Sequence, residues 1–346
     1  MSDIAELAPA VAGHPPALEA LHPVFDLPKA HVRMLDDRDR TARYVAAIRN
    51  VVVPDSIVVD IGTGSGVFAV AAALAGARRV YAIEAGRIAA AATALIDGNG
   101  VADRVRLVRG RSVDVELPER ADVIVSEVIG REPLEQRVLE ILLDARERLL
   151  KPDGRFVPRA LEMHALPVSI PQAEVDEMDF TPAAAARWQG WYGIDFSALV
   201  DVRLPRVAFK NPDAVRRWTP LAPAATILDV DFLTNAETAV DVATTTNATE
   251  RGTVNAGVIT FDLDLDEGNV FTTRLDAAPE RDAWRQAVFF VPPFEVAPGD
   301  EIALSYRYRV PGVWPGLEVA PGMNPQRHPP SSNRPFDLRV SSARRS

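Results

Sequence analysis

Between residues 41 and 150 the chain switches repeatedly between two hydrophobic periods. Thr41–Val51, Val67–Ala75, Ile88–Asn99 and Leu134–Leu150 place apolar residues at three- and four-residue spacing, the pattern of one buried helix face. Ile57–Asp60, Arg79–Glu84, Val105–Arg109 and Ala121–Ser126 are compact runs of β-formers. Alternation of this kind predicts parallel strands joined by right-handed helical crossovers. Lys151-Pro152-Asp153-Gly154 reads as a turn that ends the last helix. After Pro158 the period shortens. Leu161–Pro167, Ala225–Phe232, Gly257–Leu265, Ala287–Val291 and Glu301–Tyr308 alternate, with Pro, Asn and Gly between them, which predicts an antiparallel β-domain, a sandwich or a barrel. The boundary is expected near residue 157. Residues 1–20, rich in Ala and Pro, read as a loose arm leading into a helix, and 320–335 read as a loop.

Composition narrows the chemistry. The 346 residues suffice for two domains, and 47% hydrophobic with 25% charged residues is the balance of a globular chain. No apolar run reaches the ~20 residues that span a bilayer, and Met1–Pro16 lacks the basic cluster of a secretory leader, so a cytoplasmic location and no membrane partner are expected. The absence of cysteine excludes disulfides and thiolate chemistry, and five scattered histidines argue against a metal site. With 38 basic and 48 acidic residues the formal charge is −10. That disfavours nucleic acid as a partner and suits a cationic one.

The chemistry concentrates at Val58–Gly66, VVDIGTGSG. Three glycines leave a strand and allow close approach of a ligand. They fall as G-x-G-x-G, and Val67 breaks the G-x-G-x-x-G of dinucleotide folds. Asp60 ahead of the glycines suits a ligand with a cationic head and a ribose, which points to S-adenosylmethionine rather than NAD. Glu84 closes the next strand 18 residues after Gly66, near the ~20-residue spacing at which an acid takes the ribose hydroxyls.

Over about residues 20–320 the sequence resembles the protein arginine N-methyltransferases. His31–Thr41 is similar to the family's segment before its Rossmann-like unit, where Arg40 would hold the cofactor carboxylate and Met34 would pack near the sulfonium. Val58–Gly66 matches motif I and so assigns Asp60, Gly62, Gly64 and Gly66 to the cofactor. Val80–Ala85 matches the ribose strand with Glu84 and Ala85, and the same resemblance adds Ser112, Val113 and Glu127 to the cofactor residues. Ala121–Gly130 matches the start of the double-glutamate loop, Trp188–Ser197 the dimerisation arm, and Trp284–Phe290 with Val296–Ile302 the late β-barrel. The implied architecture is α/β: an arm and cofactor-covering helices over 1–40, a Rossmann-like domain over 41–157, and a β-barrel domain over 158–346 with a helical arm at about 172–199. A homodimer through Trp188, Trp191, Tyr192 and Phe196 is implied as well.

The departures lie on the acceptor side. The family grips guanidinium with two loop glutamates nine residues apart. Glu127 is the first; the second position is Gln136, with Glu135 beside it. An amide loses the charge and adds donors, weakening a grip that depends on charge-assisted bidentate bonds. The family's Thr-His-Trp falls on Asp282-Ala283-Trp284, which replaces the histidine that would face Asp37. The Tyr-Phe-x-x-Tyr helix falls on Leu21–Phe25, leaving Phe25 without either tyrosine hydroxyl. Arg131 follows SE-x-x-G, where an aromatic is common. Asp37 fits acceptor contact or a helix cap, Gln136 a hydrogen bond to a peptide-like acceptor, Arg131 a carboxylate partner or a solvated charge, and Trp284 a pocket wall or a core residue. His22 and His164 read as structural.

Glu127, Asp37 and Gln136 are therefore the catalytic candidates, and Arg131, Glu135, Trp284 and Phe25 the acceptor-side candidates. The expectation is N-methylation of a non-arginine amine on a peptide or small-molecule, natural-product acceptor. The alternatives are an arginine methyltransferase, on protein or free arginine, and a non-catalytic S-adenosylmethionine-binding scaffold.

Overall fold

The computed structural model describes residues 23–202, 206–277, 284–309 and 313–322. The N-terminal arm over 1–22, including Leu21 and His22, lies outside the described residues, as do Asp282, Ala283 and the 323–335 stretch.

A 3-10 turn, Pro23–Asp26, leads into α1 (Pro28–Asp36) and α2 (Arg38–Val51). Asp37 sits between the helices and its carboxylate accepts the Arg40 amide at 3.1 Å, capping α2. Such a cap stabilises by about 1 kcal/mol. The alternating unit follows: β1 (Ile57–Ile61), α3 (Val67–Leu74), β2 (Arg79–Glu84), α4 (Ala89–Gly98), β3 (Val105–Arg109), β4 (Ala121–Ser126), α5 (Val138–Arg148) and β5 (Leu150–Val157). The five strands are parallel in the order β3-β2-β1-β4-β5. β1 is buried at every position, since helices cover both faces of the sheet.

The second half opens with β6 (Ala160–Ser169). A helical excursion follows: α6 (Gln172–Val175), α7 (Pro182–Tyr192) and α8 (Ser197–Val200). Then come β7 (Val207–Lys210), α9 (Pro212–Val215), β8 (Thr219–Pro220), β9 (Ala225–Asp231), β10 (Val240–Asn247), β11 (Gly252–Asp266), β12 (Asn269–Thr272), β13 (Gln286–Val296), β14 (Glu301–Arg309) and β15 (Val313–Pro321). One antiparallel sheet runs β7-β13-β11-β6-β8, with β9 on β6 and β12 on β11. A second runs β10-β14-β15. Alternation sorts the faces: Leu161, Met163 and Ala165 of β6 enter the main core, whereas Glu162 and His164 face away. That core is continuous from the parallel sheet into the barrel, where Trp284 meets Phe261 and Phe271 edge-on or tilted at 5.4 and 5.1 Å.

Two sequence expectations change. The helix expected over Leu134–Leu150 begins only at Val138, because 131–137 is wound into tight turns and Arg137 takes a left-handed φ of 62°. Lys151–Gly154 is not a terminating turn. It lies within β5, where pairing jumps from Ala121–Leu150 to Val123–Arg155. Pairing along β4 outweighs the turn preference of Pro-Asp-Gly and absorbs it as a bulge.

Candidate active site

The order of the parallel sheet reverses between β1 and β4, the point at which α/β sheets bind ligands beyond their strand ends. Register fixes what meets there. Ile61 pairs with Ile83 on one side and Ser126 on the other, so Gly62 and Glu127 leave their strands level with Glu84, the last residue of β2. The turn with Ser112 and Val113 follows β3 at the same edge. Arg148 holds it by donating to the Ser112 and Val115 carbonyls at 2.6 and 2.9 Å.

On the β1–β2 side the backbone does most of the work. Gly64 has φ +55°, and a Cβ there would lie 3.0 Å from the His31 ring. The loop is therefore a cradle roofed by α1. His31 Nε2 donates to the Phe25 carbonyl at 2.8 Å, since a carbonyl only accepts, tying the 3-10 turn to α1. Asp26 accepts the Arg87 amide at 2.5 Å. Glu84 is buried and accepts the amides of Gly64 at 2.9 Å and Gly86 at 2.6 Å. Arg109 donates to the Ala85 carbonyl at 3.0 Å. Asp60, 1% exposed, accepts the Thr63 hydroxyl at 2.5 Å, and burial pushes its carboxyl up to about 7 against that bond.

The β4 side depends on side chains. Arg40 is 2% exposed and donates to Glu127 Oε2 at 2.6 Å and to the Met34 carbonyl at 2.8 Å, while its face lies 5.6 Å from the Trp284 ring. Burial pushes the Glu127 carboxyl up to about 7, opposed by Arg40. Trp284 donates from Nε1 to the Ile129 carbonyl at 2.9 Å, so this core indole also pins the acceptor loop.

Arg131 stacks on Phe209 at 4.0 Å, and its amide donates to Glu135 at 2.9 Å. Glu135 is folded back against Gly130, where any Cβ would collide with its side chain. Gln136 is half-buried. The structure thus brings Met34, Asp37, Arg40, Glu127 and Trp284 into one connected group. Glu135 is bound to Arg131 within the loop instead.

Sequence reasoning passed over His31, Glu132 and Tyr306. His31 was marked by position alone, three residues before Met34; Glu132 and Tyr306 carry no local signal. His164, Glu162 and Asp262 bring donor atoms within 4.8 Å of one another on the outer face of the barrel. Arg274 lies among them, 2.9 Å from His164 Nε2 and 2.7 Å from Asp262, and supplies the positive charge there.

The residues present fit S-adenosylmethionine: a cradle that a Cβ would fill, two buried carboxylates, and buried polar atoms at Ser126 Oγ and Arg40 Nε that find no hydrogen-bond partner among the described residues. Two family models match, Ribosomal protein L11 methyltransferase (PrmA) over residues 38–194 and the arginine methyltransferase oligomerization subdomain over 169–310. Protein arginine N-methyltransferase PRMT10 of Oryza sativa subsp. japonica is 32% identical over 302 residues, covering 79% of this chain and 78% of that protein. The chain belongs to the protein arginine N-methyltransferase family. The probable protein arginine N-methyltransferase 6 of Arabidopsis thaliana is 37% identical over 184 residues, 53% of this chain but 40% of that protein, so the chain spans well under half of that relative. The crystal structure of Arabidopsis thaliana protein arginine methyltransferase 10 superposes with TM-score 0.69 at 27% identity, over 82% of this chain and 88% of that one. The Rossmann-like sheet followed by antiparallel barrel sheets is the family's architecture. Among the described residues no helix is long and apolar enough to cross a membrane.

Proposed function

We propose that this protein is an S-adenosylmethionine-dependent N-methyltransferase whose acceptor is an arginine guanidinium, in a protein or as free arginine. The observation that carries the reading is the ion pair between buried Arg40 and largely enclosed Glu127, set one strand from the glycine cradle at the sheet's reversal point. Family membership supports arginine over the non-arginine amine expected from sequence.

S-adenosylmethionine supplies an electrophilic methyl group. Gly62, Gly64, Gly66, Asp60, Glu84, Ala85, Ser112 and Val113 hold its nucleoside end, and Met34 and Arg40 its amino-acid end. Glu127 takes the acceptor N–H groups and orients one nitrogen toward the methyl, and such orientation is worth several kcal/mol of barrier. The nitrogen lone pair would form the new N–C bond as the methyl's bond to the sulfonium sulfur breaks and that electron pair stays on sulfur, leaving S-adenosylhomocysteine; the nitrogen then releases a proton, which ionised Glu127 is placed to receive directly or through water. Trp284 and Phe25 border the acceptor, and Asp37 acts through the α2 cap that aims Arg40. The division into 1–40, 41–157 and 158–346, with an arm at about 172–199, belongs to the same proposal. So does a homodimer built on the exposed Trp191 and Tyr192 of α7.

One observation favours the second reading, a non-arginine amine: Gln136 stands at the second loop position while Glu135 is bound to Arg131. Incubation with S-adenosylmethionine and matched arginine, lysine and α-amine peptides, followed by mass spectrometry, separates the two. Methylarginine is expected. Methyl transfer confined to other amines overturns the arginine reading, and Gln136→Glu then adds arginine activity. S-adenosylhomocysteine binding without transfer to any amine favours a scaffold.

A further inference from the structure

Glu132 takes no part in the chemistry proposed above, yet it is 0% exposed in the middle of the acceptor loop. Its Oε1 accepts the Tyr306 hydroxyl of β14 at 2.5 Å, and its Oε2 accepts the Leu134 amide at 3.0 Å. Tyr306 is itself fully buried. Two residues along the same face of β14, Tyr308 donates to both oxygens of Glu140, at 3.1 and 3.0 Å, in the first turn of α5. The barrel strand therefore grips the segment between the acceptor loop and α5 at two points. Gripped in this way, the turns over 134–137 do not join the helix that the sequence predicts from Leu134 onward.

We propose that the Glu132–Tyr306 contact is a clasp by which the barrel positions the acceptor loop, and that the clasp works with Glu132 as a neutral acid, so that acceptor binding weakens at alkaline pH. The acceptor part of this inference rests on the function proposed above. In the neutral form the proton sits on Oε1 and is given to the Tyr306 oxygen across the same 2.5 Å contact, while Oε2 still accepts from Leu134, so no formal charge is left in the apolar site. The charged groups nearest Glu132 are Glu135 in its own loop, held by Arg131, and the Glu140–Arg137 pair at the start of α5; Tyr306 and Tyr308 face it from β14. No cation pairs with Glu132 among the described hydrogen bonds and ion pairs. Burial pushes its carboxyl up to about 8, with the Glu135 charge adding to the rise and the hydrogen bonds from Tyr306 and from the Leu134 and Glu135 amides opposing it. Ionisation above that point leaves a buried charge in an apolar site, at a cost to whatever conformation buries it. Glu132 is a positioning residue: it acts on the acceptor through the loop that carries Glu127 and Gln136.

The test compares wild type, Tyr306→Phe, Glu132→Ala and Glu132→Gln in the full chain. Hydrogen exchange of the 128–137 amides is measured at neutral pH. Kinetics with an arginine-containing peptide are followed from about pH 6.5 to about pH 9.5, bracketing the titration. Tyr306→Phe and Glu132→Ala are expected to speed loop exchange and raise acceptor KM about tenfold, the effect of one lost buried hydrogen bond. The kcat and S-adenosylhomocysteine affinity should stay within about twofold, because only acceptor positioning is lost. Glu132→Gln, a neutral isostere that still accepts from Leu134 and donates to Tyr306, should keep the wild-type loop and KM and remove the alkaline rise in KM. Unchanged loop exchange in Tyr306→Phe overturns the clasp. A Glu132→Gln variant that behaves like Glu132→Ala overturns the neutral-acid role. If no arginine peptide is methylated, the functional reading fails, while the exchange pattern still decides the clasp.

Discussion

Glu84 closes β2 and Glu127 directly follows β4 at the same level of one sheet, both largely withdrawn from water, yet they are held by different means. Glu84 is bonded by the amides of Gly64 and Gly86, within 20 residues of chain. Glu127 is bonded by Arg40, 87 residues away, and its loop is pinned by Trp284 from 155 residues further along. A carboxylate fixed by nearby amides tolerates change elsewhere in the fold, whereas one fixed by distant side chains inherits every substitution in the barrel. Glu84 is thus fixed by local backbone and Glu127 by side chains far along the chain.

Removing the distant partnership should have the largest effect. Glu127→Gln is expected to lower kcat/KM by about 100-fold or more, the scale for losing one preorganised charged contact. S-adenosylhomocysteine affinity measured by calorimetry should change far less, and a parallel collapse of cofactor affinity breaks the comparison.

The same pair sets an acid limb. Burial pushes the Glu127 carboxyl up to about 7, so protonation on lowering the pH discharges the carboxylate and releases Arg40. Acceptor kcat/KM should fall as pH drops through about 7, and Glu127→Gln should abolish the limb. The stability linkage has the opposite sense: a carboxyl raised by burial contributes stability that is fully present below its unfolded pKa and lost as pH rises through about 7.

The cofactor side should respond to a backbone change instead. Gly64→Ala forces a side chain into a left-handed conformation and against His31, and should weaken S-adenosylhomocysteine about tenfold with little effect on acceptor KM. The smallest effect is expected at Asp37, where loss of the α2 cap costs about 1 kcal/mol, read as a Tm lower by a few degrees. A large rise in acceptor KM in Asp37→Ala restores the contact role for this residue.

Sequence alone determined the parallel unit, because each strand and helix there repeats its own short-range period. Val105–Arg109 and Ala121–Ser126 were legible to the residue. It also determined the cofactor cradle, since strand, glycines and acid lie close along the chain. The acceptor loop was legible only in part: Glu127 stood out, but Leu134–Arg137 carried a helical pattern that tertiary contacts overrode. Tyr306, Trp284 and Phe209 come from barrel strands or the segment just before one, and nothing near Glu132, Ile129 or Arg131 in sequence announces them. Tertiary structure alone decided that Glu135 binds Arg131, that Arg40 binds Glu127, and that a buried acid joins the loop to β14. Local periodicity reports which face of an element is apolar. The partner of a buried charge is set by which distant element the fold packs against it, because desolvation makes pairing obligatory without specifying where along the chain the partner lies.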